Sequence, residues 1–484
     1  MDAFADVMGR VGAWAGRNKY LSSIKNAFQD YMPATISGAV AVLWTSVLVN
    51  ETTGLGVFFS PIMVLEPLNS IFSAINTATI GCIAVGICML VGENIALANG
   101  EQGSYPAILA FIMWFTVTPY SWSIGDMAAY TPTVEGTMGA ETTTVTISEL
   151  LEEVLNSGFV AEFNTFSSDT YADITTAFSL SDLGTFSAIQ TSYMGATGLF
   201  TGLIVGILGM ECYCALRKVD ALKIKMPDQV PPGVAKAFEV TIPTCLVLII
   251  VGAVGWCSTT FLGLDLNSLI STYVQEPLKQ VIGGNIFAVV VLYIIIMLFW
   301  MVGIHGNNMV AAVKESIFTP MIIENMSVFS ATGNVADAPN VLNITMMQMF
   351  AEWGGSGVTL GLIIAIFIFG KREDTRAIAT LSVVPGMFNI NETMTFGIPL
   401  VLNPILDIPF ILAPCGCIIV GYILTLIGFC PKCVVQAPWT TPPIIFGFLA
   451  TGGSIMGSIS QIIVMAVSTL IYIPFLLIYE RQDA

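Results

Sequence analysis

The sequence predicts an all-α polytopic membrane protein, with about nine to ten transmembrane helices plus re-entrant segments and amphipathic helices. Three observations carry that reading. Hydrophobic residues fill 55 % of the 484 positions and charged residues only 10 %, against about 25 % charged in an average soluble domain. Apolar runs long enough to cross a bilayer recur along the chain. Between some of them lie segments rich in Gly, Pro and Asn, bracketed so closely by apolar runs that they belong at membrane depth. Irregular backbone persists there only when buried in protein or lining a wet cavity. The same composition excludes a soluble globular enzyme, and 16 Lys+Arg against 33 Asp+Glu excludes a nucleic-acid binder.

Taken in order, residues 1–32 read as a cytoplasmic amphipathic N-terminus. Tyr20, Leu21, Ile24, Phe28 and Tyr31 recur at helical spacing, with Asn18, Ser22, Lys25 and Gln29 between them. The first apolar run begins behind Arg10, Arg17, Lys19 and Lys25, too deep for a secretory signal. Candidate spans are 33–50, 76–97, 104–121, 197–216, 238–262, 285–303, 356–370, 404–429 and 457–479. No Lys or Arg occurs between Lys25 and Arg217; basic residues then cluster at Arg217, Lys218, Lys223, Lys225 and Lys236, at Lys371, Arg372 and Arg376, and at Arg481. By the positive-inside rule these clusters face the cytoplasm, and both termini lie there. Segment 122–195 falls outside. It holds ten acidic residues from Asp126 to Asp182 and no basic one, so it reads as a solvated exterior loop with a short helix at Ile147–Leu155, capped by Ser148. Segments 304–355 and 377–403 are too interrupted for plain spans, and broken segments of this kind point to a transporter's substrate site.

The ten cysteines are scattered, several of them inside apolar runs, and read as reduced small hydrophobes. Cys430 and Cys433 have CxxC spacing, but no second pair completes a zinc site, so no metal is expected.

Two stretches carry candidate chemistry. The sole histidine, His305, lies in Trp300-Met301-Val302-Gly303-Ile304-His305-Gly306-Asn307-Asn308, at the mouth of a span. A histidine there can simply be structural, satisfied by a backbone carbonyl, but ionisable side chains at membrane depth are costly and mark functional sites. Glu392, in Phe388-Asn389-Ile390-Asn391-Glu392-Thr393, is the single charge between Ala377 and Leu406; placing it at the bilayer centre costs about 3 kcal/mol or more. An imidazole, a carboxylate and the amides of Asn307 and Asn391 offer donors and acceptors without a strong fixed charge, which suits hydroxyl groups. Trp300 and Trp439, the latter in Pro438-Trp439-Thr440-Thr441-Pro442-Pro443, could stack on a sugar ring or anchor at the interface. Lys223, Lys225 and Lys236, interleaved with Pro227, Pro231 and Pro232, form a basic loop.

With these motifs in view, the chain resembles the enzyme IIC membrane subunit of the bacterial phosphotransferase system, of the lactose/cellobiose/diacetylchitobiose type. The resemblance rests on KIKMPDQVPPGVAKAF, GIHGNN, FNINETMTFGIPLVLNPILDIPF and PWTTPP, and extends from NKYLSSIKNAFQDYMPATISGA to about residue 445. It implies a homodimeric sugar permease in the cell membrane, not itself an enzyme and without cofactor. A separate enzyme IIB, served by IIA and HPr, would pass a phosphoryl group from a phosphocysteine to the sugar. Glu392 and His305 would contact sugar hydroxyls and take the catalytic positions; Trp300 and Trp439 would pack on the sugar, with Asn307 and Asn391 beside them. Residues 33–262 would form a scaffold and dimerisation domain, 263–456 the sugar-carrying domain, and 457–484 the last helix and tail. A β-linked disaccharide such as cellobiose, diacetylchitobiose or lactose is the expected substrate. Thr393, where the family usually has Pro, Asp407 and the acidic outer loop depart from the pattern. The alternative is an ion-coupled sugar transporter that pairs Glu392 with Asp407.

Overall fold

The computed structural model describes the chain continuously over 17–50, 59–119, 191–227, 230–398 and 405–481, and over shorter stretches elsewhere, among them 121–123, 134–138, 141–145 and 185–187. It forms two compact units, one comprising Met1–Val117 and Thr191–Ala484, the other Thr118–Gln190.

The larger unit is helical. Helix α1 (Lys19–Leu43) starts at Asn18, whose side-chain oxygen accepts from the N–H groups of Tyr20 and Leu21. That satisfies donors which a helix start otherwise leaves open. The helix runs through Pro33 without stopping, so the amphipathic stretch and the first span are one element; no boundary falls at position 32. It packs on α2 (Asn69–Thr79) and α3 (Ile83–Ala98). Helix α3 in turn packs against α4 (Tyr105–Val117) and α5 (Leu199–Ile204). Close approach is what small residues permit in such packing: a Cβ on Gly92 would lie 2.5 Å from the Ala110 side chain. Helix α5 continues through a π-type turn into α6 (Met210–Arg217), and α7 (Pro232–Cys257) follows the basic loop. Among the spans, α7 is the least covered: 11 % of its apolar window is buried, and Ile249 and Trp256 are exposed.

In the second half, α8 (Ile286–Met301) leads into α9 (Gly306–Thr332), 27 residues long. The polar segment 304–355 therefore contains one long unbroken helix, which the sequence reading did not expect. Asn307, Asn308, Lys314 and Glu315 are polar but compatible with a helix. The breaks come where the backbone turns left-handed, at Gly303 (φ 78°) and Gly333 (φ 68°). Then follow α10 (Ile344–Ala351), α11 (Leu360–Phe369), α12 (Glu373–Met387), α13 (Glu392–Gly397), α14 (Asp407–Leu426), α15 (Ile445–Ala450) and α16 (Ile455–Tyr479). Helix α14 packs on α8, α10 and α16, and α11 is held between α12 and α16. Helix α9 also packs on α1, which brings an N-terminal helix to the polar segments of the second half.

Among the described residues, six helices are long and apolar enough to cross a membrane, or up to eight if two bent pairs each count as one span. The pairs are Leu266–Gly283 with Ile286–Met301, bent by 78°, and Ile344–Val358 with Leu360–Phe369, bent by 61°. The apolar run 356–370 is thus half of a broken element, and 104–121 shortens to the 13 residues of α4.

In the smaller unit β1 (Ser121–Ser123) pairs antiparallel with β4 (Thr185–Ser187), and β2 (Val134–Met138) with β3 (Glu141–Val145). The sequence reading expected no strands there. The helix anticipated at Ile147–Leu155 lies outside the described residues.

Candidate functional site

His305 sits at the start of α9 as its cap. Its Nδ1 accepts from the Asn308 N–H at 3.3 Å, so Nδ1 carries no proton and Nε2–H is left to donate. The Trp300 ring lies 4.5 Å from the imidazole, centre to centre. Trp300 itself is 2 % exposed. The side chain expected to pack on a sugar is instead buried behind the histidine, in the last turn of α8.

A cavity of about 290 Å³ opens beside His305, close to the lower bound of roughly 300 Å³ for ligand pockets. His305, Asn307, Asn391, Glu392 and Trp439 all line it. Five of the six expected site residues therefore share one space, although 134 positions separate His305 from Trp439. Glu392, the first residue of α13, is exposed there rather than buried. Trp439 is 43 % exposed.

The wall is built on a glycine-rich turn that the sequence reading passed over, Gly354-Gly355-Ser356-Gly357. Gly354, Gly355 and Gly357 all have positive φ. At Gly355 (φ 86°) a Cβ would lie 2.6 Å from the Asn391 side chain, so glycine is needed for both conformation and space. Asn391 donates to the Ser356 carbonyl (2.8 Å) and the Thr395 hydroxyl (3.0 Å). Both amide hydrogens are spent on that brace. Asn389, itself left-handed at φ 64°, accepts from the Gly354 N–H at 2.6 Å and donates to the carbonyls of Trp439 and Thr441. One amide thus ties the turn to the tryptophan loop.

Sequence reasoning also missed the charged wall. Lys314 pairs with Glu352 at 2.8 Å, with 6 % and 15 % of their side chains exposed, and the Tyr293 hydroxyl donates to the same carboxylate at 3.0 Å. Glu315 accepts from the Thr319 hydroxyl at 2.7 Å. Adjacent Lys-Glu within an apolar neighbourhood was the available signal. Three amide oxygens, on Asn307, Gln348 and Gln436, are buried and accept no hydrogen bond from the protein, and all three residues line the cavity. Buried polar atoms left without partners are rare and costly. Here they lie just beneath the cavity surface.

Asp407 is elsewhere. It begins α14, is 2 % exposed, does not line the cavity, and neither carboxylate oxygen is hydrogen-bonded among the described residues. The paired-carboxylate ion site needs Asp407 beside Glu392 in the cavity, and the structure does not supply that. Among the described residues no group of three or more His, Cys, Asp or Glu side chains is arranged to hold a metal ion.

Comparison with known proteins decides the family. The model for "Phosphotransferase system, EIIC" matches residues 25–414. The chain belongs to the EIIC family of the phosphotransferase system. The cellobiose-specific EIIC component of Lactococcus lactis is 29 % identical to this EIIC chain over 98 % of its length and 96 % of the relative's. The cellobiose-specific EIIC component of Geobacillus stearothermophilus is 36 % identical over 61 % of this chain and 65 % of its own. An oligo-beta-mannoside-specific EIIC component of Bacillus subtilis is 27 % identical over 97 % and 92 %. The crystal structure of the transporter ChbC, the IIC component from the N,N'-diacetylchitobiose-specific phosphotransferase system, superposes with a TM-score of 0.78 at 24 % identity, covering 99 % of this chain and 96 % of that one. The EIIC fold is therefore that of a multi-pass helical membrane protein.

Proposed function

We propose that the chain is the sugar permease subunit of a bacterial phosphotransferase system and that the 290 Å³ cavity holds a β-linked disaccharide, cellobiose first among the candidates. The observation that carries this is the gathering of the Glu392 carboxylate, the His305 imidazole and the amide-bearing residues Asn307, Gln348 and Gln436 around one cavity. Hydroxyl groups donate and accept at once, so a sugar satisfies carboxylate and imidazole alike. Glu392 takes two neighbouring hydroxyl hydrogens, and His305 Nε2–H donates to a hydroxyl oxygen; Asn307, Gln348 and Gln436 give the rest of the lining its polar character. Trp439 covers an apolar ring face, and Trp300 fixes the imidazole from behind. The relatives' cellobiose and oligo-beta-mannoside specificities favour a β-linked substrate.

The phosphoryl group comes from a separate IIB protein. Because Nδ1 of His305 is occupied as a cap, Glu392 is the better acceptor for the hydroxyl proton, a role typically worth about 10²–10⁴-fold in rate. Both termini lie in the cytoplasm, and two copies associate through apolar faces such as that of α7. Residues 33–262 act as scaffold and 263–456 carry the sugar. The test is reconstitution in vesicles with IIB, IIA and HPr. Cellobiose should accumulate only as its phosphate and only when IIB is present. Accumulation of unmodified sugar driven by an ion gradient would overturn the proposal.

A further inference from the structure

We infer that Lys25, on α1, binds the phosphoryl group as it reaches the sugar and afterwards holds the phosphate of the product. This rests on the permease reading above and adds to it a cation for the transferred group. The cavity is lined by five side chains of fixed charge: Lys25, Lys314, Glu315, Glu352 and Glu392. Lys314 is committed to Glu352. Lys25 is half-buried, on the α1 face that also brings Gln29, Met32 and Ile36 to the cavity. Among the described residues it forms no ion pair or hydrogen bond. Lys19, on the same helix, is by contrast paired with Glu211 at 2.5 Å.

Sign and place matter together. With Lys25 removed, one lysine faces three carboxylates around the cavity, a lining that repels a phosphoryl dianion. A neutral sugar does not feel that deficit; its phosphate does. In the transfer, the sugar's primary hydroxyl oxygen bonds to phosphorus and the phosphorus–sulfur bond of the IIB phosphocysteine breaks. Its electron pair leaves on the thiolate, and the hydroxyl proton passes to Glu392. Lys25 joins none of these bonds. It offsets the charge on the non-bridging oxygens, as a lysine does at phosphate sites generally.

The experiment compares wild type, Lys25→Gln and Lys25→Arg, purified in neutral detergent. Binding of cellobiose and of cellobiose 6-phosphate is measured, together with turnover in the presence of phosphorylated IIB. Lys25→Gln should bind cellobiose within about 2-fold of wild type. Its affinity for the phosphate should fall about tenfold and its kcat roughly 10- to 100-fold, short of a fully desolvated site because Lys25 is half-exposed. Lys25→Arg should restore most of both. Unchanged affinity for the phosphate overturns the inference, as does a parallel loss of cellobiose binding, which would make Lys25 a sugar or folding residue. A defect that appears only in vesicles with anionic lipid assigns the ammonium to lipid headgroups and also overturns it. A wild-type protein that binds no cellobiose overturns the permease reading instead.

Discussion

At the scale of single residues the cavity wall combines groups with opposite costs. Lys314 and Glu352 form a buried pair, and breaking such a pair leaves an uncompensated charge worth about 3–5 kcal/mol of destabilisation, whereas removing both partners is far milder. Lys314→Met should therefore lower the melting temperature of the purified protein sharply, and Lys314→Met with Glu352→Gln should recover most of that loss. The measurement is a thermal denaturation cycle on the four proteins, and the coupling energy isolates the pair. Additive losses would show that the two side chains act independently. Glu392 stands at the other extreme. It is exposed to the cavity, has no ion-pair partner among the described residues, and its replacement by Gln should leave folding intact while removing an acceptor that hydroxyls need.

Elements decide what the residues can reach. The turn at Gly354–Gly357 is held by Asn389 and Asn391, and it meets α13 where Glu392 begins. Gly355→Ala imposes both a left-handed alanine and a clash with Asn391. Gly263→Ala imposes the first alone, since Gly263 has φ 68° and nothing within 4 Å of an added Cβ. A left-handed non-glycine residue costs roughly 1–2 kcal/mol. Gly355, at ψ −173° beside its φ of 86°, lies where almost only glycine is found, so Gly355→Ala should lose more stability than Gly263→Ala and, alone of the two, lose cellobiose binding by tenfold or more in a titration. Equal binding by the two would mean that the turn does not shape the cavity. This is also where the sequence was hardest to read. His305 and Glu392 stood out because each is a solitary ionisable group among apolar neighbours, and composition alone exposes that. Trp300 misled because a tryptophan beside a motif carries no sign of the direction its ring takes. Gly355, Gln348 and Gln436 went unseen because unpartnered acceptors and left-handed turns arise only when 305, 355, 391 and 436 are folded together. The polar stretch after 304 looked broken throughout because polarity was read as irregularity, although the chain is helical without interruption from Gly306 to Thr332.

For the whole molecule, a ligand that binds only the folded state raises stability by RT ln(1 + [L]/Kd), about 2.7 kcal/mol at 100 times Kd. The cavity joins α1 at one end of the sequence to the loop at Trp439 near the other, so occupancy clamps elements from both halves and should be felt by the global melt. A panel of disaccharides on the detergent-solubilised protein should then sort by linkage. Cellobiose and other β-linked sugars should raise the melting temperature in a concentration-dependent way, and maltose, with its α-linkage, should leave it unmoved. Glu392→Gln should melt near the wild-type temperature without sugar and show no rise with cellobiose, because the carboxylate contributes to the ligand and not to the fold. A rise of equal size in wild type and Glu392→Gln would place the sugar away from this cavity. A variant already unstable without sugar would instead show that the carboxylate supports packing.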